Sequence, residues 1–92
     1  MKISFDPAKR QRTLETRGLD FADAGSVFEG NFYTQLDNRY EYPEPRYQTY
    51  GYLTDRLIMF AWTKTDDGIR VISMRKCNDR EQYKFRAELG RR

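Results

Sequence analysis

The groups best suited to chemistry crowd into the last quarter of the chain. Between Ile69 and Arg92 stand eight Lys or Arg (70, 75, 76, 80, 84, 86, 91 and 92) against three Asp or Glu, a local charge of +5 that leaves everything before it at −2. That footprint fits a polyanion such as RNA or an acidic protein, and equally a solvated helix face with a basic tail. Arg70 and Arg75 are its focus, because a guanidinium presents a planar fork of donors that grips phosphate oxygens in pairs. Arg46, on a neighbouring segment, can reach the same place. The sequence holds no histidine, so acid–base work near neutral pH falls to other side chains. Glu81 is the acid best placed beside the basic cluster, and Tyr83 brings a phenol two residues further on. The single cysteine, Cys77, excludes an internal disulfide and a multi-cysteine zinc site, and the lack of histidine removes the common mixed zinc sets. No cofactor is expected.

Several elements must position these groups. Asp6-Pro7 opens a helix, with Asp6 as cap and Pro7 at the first helical position, and Gly18 stops it. Asp20 caps a second short helix whose Phe21, Ala24 and Phe28 face a core. Phe32 to Leu36 reads as a strand. Asp37 to Pro45 is a loop rich in acids and tyrosines. Arg46 to Leu53, Leu57 to Lys64 and Ile69 to Lys76 read as further strands, the second buried on both faces and the last entered through the Asp67-Gly68 turn. Asn78 with Glu81 three residues on forms a capping box for a final helix, whose stripe is Phe85 and Leu89 and whose stop is Gly90. The expected fold is α+β in the order α-α-β-β-β-β-α, an antiparallel four-stranded sheet with helices mainly on one face.

Ninety-two residues make one domain, 1–92, which buries about 60–70% of its unfolded surface. The longest apolar run, Leu57 to Trp62, is far short of the roughly 20 residues of a membrane span. One free thiol and no secretory leader pattern point to a reducing cytoplasm.

Short segments in order along the chain resemble a known family. Phe5-Asp6-Pro7-Ala8-Lys9 is similar to the opening of the BrnT toxins. Gly18 to Ala24 with Val27-Phe28 resembles their second helix, Glu44-x-Arg46-Tyr47 with Gly51-Tyr52-Leu53 their second strand, and Ile69-Arg70-Val71-Ile72-Ser73-x-Arg75 with Glu81 and Tyr83 their C-terminal motif. The resemblance implies a RelE-like fold and a ribonuclease toxin that arrests translation. It also implies a DNA-binding partner, a ribbon-helix-helix antitoxin of the BrnA type, in a hetero-oligomer. One departure stands out: the family usually has Lys-His-Gly where this chain has Thr16-Arg17-Gly18. Either relatives use that histidine in catalysis and this chain does without it, or the position is structural.

RNA cleavage without a metal uses the 2′-hydroxyl as nucleophile and leaves the protein three tasks: removing the 2′-proton, neutralising the phosphorane, and protonating the leaving oxygen. Arg46, Arg70 and Arg75 are candidates for gripping phosphate. Glu81 is the candidate base and Tyr83 a candidate acid or base-stacking ring. Lys76, Arg80 and Tyr47 are candidates for RNA binding. Each has a structural alternative: an ion pair from Arg70 or Arg75 to Glu81, a capping role for Glu81, ring packing for the tyrosines, plain exposure for Lys76 and Arg80. Tyr40, Tyr42 and Tyr47 surround the proline loop and either face RNA or antitoxin or fold back on the sheet. Arg70 and Arg75 stand five apart, so strict alternation puts them on opposite faces unless a bulge intervenes. A non-catalytic RNA- or antitoxin-binding module of the same fold is the competing reading.

Overall fold

Strand formation begins earlier than the sequence pattern predicts. In the structure, a computed structural model that describes residues 1–90, Lys2–Phe5 forms β1 and pairs in parallel with β5 (Gly68–Lys76). The remaining strands are β2 (Phe32–Leu36), β3 (Tyr47–Leu53) and β4 (Arg56–Lys64). They form a five-stranded mixed sheet in the order β1-β5-β4-β3-β2. This corrects the expected four-stranded antiparallel sheet and the order α-α-β-β-β-β-α. Four residues are too few to show a period, and their only template is a strand more than sixty residues away.

The helices start and stop where their caps dictate. Helix α1 (Pro7–Arg17) is capped by Asp6, whose carboxylate accepts from the amides of Ala8 and Lys9 at 2.8 and 3.3 Å. It ends at Gly18, whose φ of 68° favours glycine. A 3-10 turn (Phe21–Asp23) runs into the short α2 (Ala24–Val27), and α3 (Asp79–Leu89) closes the fold behind the expected Asn78–Glu81 capping box.

Both faces of the sheet are covered, which corrects the expectation of helices mainly on one. On the first face Ile58, Phe60, Trp62, Ile69, Val71 and Met74 pack with Leu19, Phe21, Ala24 and Val27. On the second, Tyr50, Leu57 and Met59 pack with Phe85 and Leu89 of α3, and Tyr50 stacks on Phe85 at 4.3 Å. Each buried Phe or Leu contributes roughly 1.5–3 kcal/mol. Continuous burial from Leu57 to Trp62 demands cover on both sides, and α3 supplies the second.

β1 approaches so closely that Gly68 is required: a β-carbon there would run into the Lys2 backbone. Gly68→Ala is expected to unseat β1 and cost about 2–3 kcal/mol, read as a lower urea midpoint and as diminished hydrogen-exchange protection at Ser4, Ile69 and Val71, whose amides face across the β1–β5 ladder in the alternation that Lys2 N donating to the Asp67 carbonyl sets. An unchanged midpoint would contradict this account of the edge.

Candidate functional site: a cationic cleft on the second sheet face

The register between β4 and β5 decides where the arginines point. Ala61 pairs with Ser73, yet Trp62 pairs with Val71, so Ile72 is an extra residue, a β-bulge. Directly paired residues share a face. Arg70 lies opposite Thr63 and Arg75 opposite Met59. Alternation resets at Ile72, so Arg70, Ser73 and Arg75 all project to the second face, the one α3 partly covers. Strict alternation would have separated the two arginines, and the bulge is the reason it does not. Their partners stand four positions apart on β4, which sets the two roughly 13 Å apart along one face.

The two ends of that face differ. At one end the Arg75 guanidinium donates through Nη1 and Nη2 to both carboxylate oxygens of Glu81, each at 2.8 Å. Glu81 also accepts from the Asn78 amide at 3.0 Å to complete the capping box. Arg75, with help from that amide and against burial, holds the Glu81 carboxyl down at about 2. A carboxylate so stabilised is a weak proton acceptor.

At the other end a cleft of about 250 Å³ is lined by Asp6 and Lys9 from the start of α1, Tyr42, Pro43, Glu44 and Arg46 from the loop before β3, Thr63 of β4, and Arg70 with Val71 and Ile72 of β5. Arg46 precedes Tyr47, which pairs with Trp62, so Arg46 and Arg70 flank Thr63 from either side. The Arg46 guanidinium lies over the Tyr42 ring, 4.3 Å from its centre. Neither Arg46 nor Arg70 has an ion-pair partner among the described residues. The loop is pinned at several points. Thr63 Oγ1 donates to the Pro45 carbonyl at 2.9 Å, and the Asp37 amide donates to the Arg46 carbonyl at 2.8 Å. The buried Asp37 carboxylate accepts two bonds from the Arg39 guanidinium, both at 2.9 Å, and one from Tyr42 Oη at 3.2 Å. Arg39, chiefly, holds the Asp37 carboxyl at about 2.

The other candidate residues fall elsewhere. Tyr47 stacks on Trp62 at 4.7 Å on the first face, and Lys76, opposite Ile58, shares that face. Arg80 is exposed on the first turn of α3, and Tyr83 is exposed at 79% on the same helix, neither of them lining the cleft. Cys77 is buried, and that burial pushes its thiol up to about 12. Arg91 and Arg92, part of the basic count, lie outside the described residues. Arg17, at the position of the family histidine, donates through Nη1 to the Met74 carbonyl at 2.8 Å and so ties α1 to β5. Sequence reasoning assigned no role to Asp6, Lys9 or Glu44 in the cleft. The visible signal for Glu44 was its place between two prolines. For Asp6 and Lys9 the sequence carried no such signal, because the short strand that brings α1 beside Arg70 shows no period of its own. No group of three or more His, Cys, Asp and Glu side chains poised to hold a metal occurs among the described residues, and none of the helices described is long and apolar enough to cross a membrane.

These features define a small α+β protein whose sheet carries a cleft with three cationic side chains, Lys9, Arg46 and Arg70, and two carboxylates, Asp6 and Glu44. The family model for BrnT, the ribonuclease toxin of type II toxin–antitoxin systems, matches residues 5–81, and the chain belongs to that family. No curated protein matches it. The family supplies the substrate class, RNA, and the existence of a protein antitoxin.

Proposed function

We propose that the chain is a metal-independent endoribonuclease whose reaction centre is the cleft between Arg46 and Arg70. The observation that carries this reading is the pair itself: two guanidiniums flank Thr63 with no ion-pair partner for either among the described residues. Held there, they grip the oxygens of a scissile phosphate and stabilise the charge that grows in the phosphorane. Arg75, oriented by Glu81, meets a neighbouring phosphate along the same face. Arg80 and Tyr83 border the path that RNA takes across α3. Tyr47 and Lys76 serve this reading only indirectly, Tyr47 through its stack on Trp62 in the strand that carries Thr63. Loss of RNA arrests translation in the cytoplasm until a ribbon-helix-helix antitoxin of the BrnA type covers the toxin. The nucleophile is the RNA's own 2′-hydroxyl, with the arginines filling the charge-neutralising role of a divalent ion.

Purified protein is expected to cleave single-stranded RNA in excess EDTA and to leave the matching DNA intact. Cleavage that stops with EDTA and returns with added magnesium would overturn the metal-independent reading. RNA binding with no cleavage under either condition would favour a binding module.

A further inference from the structure

With no histidine in the chain, the 2′-proton needs another acceptor, and the second sheet face offers three acids near its arginines. Asp6 is committed: as the cap of α1 it accepts from two backbone amides, which lower its pKa and weaken it as a base. Glu81 is committed to Arg75 and Asn78, at the far end of the face. Glu44 takes part in no hydrogen bond or ion pair among the described residues, yet it lines the cleft with Arg46 and Arg70.

We infer that Glu44 is the general base of the cleavage step and Lys9 the proton donor to the leaving group. This rests on the reading of the cleft as the ribonuclease centre. Pro43 and Pro45 restrict the backbone on both sides of Glu44. The Pro45 carbonyl is anchored to Thr63, the residue flanked by the two arginines. The carboxylate is therefore presented by a stiff segment, as a catalytic group needs to be. Around it stand Asp6, the cap of α1, Lys9 of α1, Tyr42 and Arg46 from its own loop, and Arg70 from β5. Glu44 also borders a second hollow, where Asp37, Tyr40 and Tyr47 are the other titratable groups. The cleft volume is below the roughly 300–1,000 Å³ of pockets that enclose a drug-sized ligand. It suits one phosphate with its adjoining sugars, the part of RNA that reacts.

The step balances. Glu44 takes the proton of the 2′-hydroxyl, the 2′-oxygen forms its bond to phosphorus, and the bond from phosphorus to the 5′-oxygen breaks. The 5′-oxygen takes a proton from the Lys9 ammonium. The products are a 2′,3′-cyclic phosphate and a 5′-hydroxyl end. Water then takes the proton from Glu44 and returns one to Lys9.

Two measurements on the full chain test this. Cleavage of an RNA oligonucleotide gives kcat and KM, and fluorescence anisotropy with an uncleavable version, 2′-deoxy at the scissile position, gives Kd. Glu44→Gln is expected to lower kcat by about 10²–10⁴-fold, with Kd unchanged or tighter because a negative charge has left a cationic cleft. The acid limb of its kcat/KM profile against pH should vanish. Glu44→Asp should recover part of the rate. Glu44→Gln protein that cleaves within about threefold of the parent, or loses rate only as far as it loses binding, overturns the assignment. Arg70→Ala separates this from the reading beneath it. If that variant binds the uncleavable oligonucleotide as the parent does, the cleft is not the RNA site. If binding falls while Glu44→Gln still cleaves, only the base is wrong.

Discussion

Arg70→Ala is expected to lower kcat/KM for RNA by about 10²–10³-fold, and Arg75→Ala by only about tenfold. The two residues share a strand and a face, but not a situation. Arg70 is exposed at the mouth of the cleft and has no ion-pair partner among the described residues, so its charge is available to a phosphate. Deleting one preorganised donor to a developing oxyanion costs about 2.7–4 kcal/mol of barrier. Arg75 already spends its fork on Glu81. On the proposed reading its effect on the reaction comes through a flanking phosphate, and part of its removal should be felt in the stability of α3 instead. The same contrast should hold in salt titrations. Every phosphate of a single strand that the protein ceases to neutralise reduces the slope of log K against log salt by about 0.7, so the change should be clear for Arg70→Ala. Folding gives a control, since an exposed and unpaired Arg70 can be removed with the thermal midpoint essentially unchanged. Equal effects from both variants would mean that the Arg75–Glu81 pair opens when RNA binds and that the face works as one site.

The second large effect is on stability and depends on pH. Arg39→Ala is expected to cost about 2 kcal/mol at pH 7, because it leaves the Asp37 carboxylate buried without its countercharge. Asp37 is 5% exposed. Its partner Arg39 is 63% exposed, and solvent around that guanidinium trims the cost below that of a deep interior pair. Linkage sets the sign. In the folded parent Arg39 holds the Asp37 carboxyl at about 2, below its ordinary value of 3.8. That stabilisation is therefore complete above pH 3.8 and is lost as pH falls through 2. Without Arg39 the effect of burial, which raises the pKa, loses its main opponent, and the carboxyl can protonate at milder pH. The gap between parent and variant in urea unfolding should thus be widest near neutrality and narrow as the solution is acidified. A gap that is constant with pH would locate the contribution of Arg39 in packing rather than in the ion pair. The loop's other ties, through Tyr42 and the Arg46 carbonyl, make a parallel fall in RNA affinity part of the same expectation.

Much of the local structure is legible in the sequence. Asp6-Pro7, Gly18 and the Asn78–Glu81 box act through their own backbone neighbours, so the boundaries they dictate hold in the structure within a residue or two, whereas Gly68, expected in the turn for a positive φ, is the first residue of β5 and is required there by the Lys2 backbone instead. The uninterrupted apolar run of β4 announces a central strand, and it also implies cover on both faces, which the expected one-sided packing of helices overlooks. β1 escapes notice because a four-residue edge strand has no stability of its own and exists through pairing with β5. Among the candidate site residues, Arg46 and Arg70 are legible by type as candidates for gripping phosphate. Their partners in the cleft are not, because Lys9 reaches it only when β1 docks and Glu44 only when Thr63 anchors the Pro45 carbonyl.

Sequence by itself determined the chemistry open to this protein. It has arginine forks for phosphate, no histidine for proton transfer, one cysteine without a partner, and a chain order that resembles the BrnT toxins. Tertiary structure decided which of those groups work together. A single extra residue, Ile72, turns Arg70 onto the face of Arg75, and Glu81 then claims Arg75 and leaves Arg70 to the cleft. A bulge is a mismatch between two paired strands. It depends on the register that β4 imposes on β5, and no reading of Ile69 to Lys76 alone contains it.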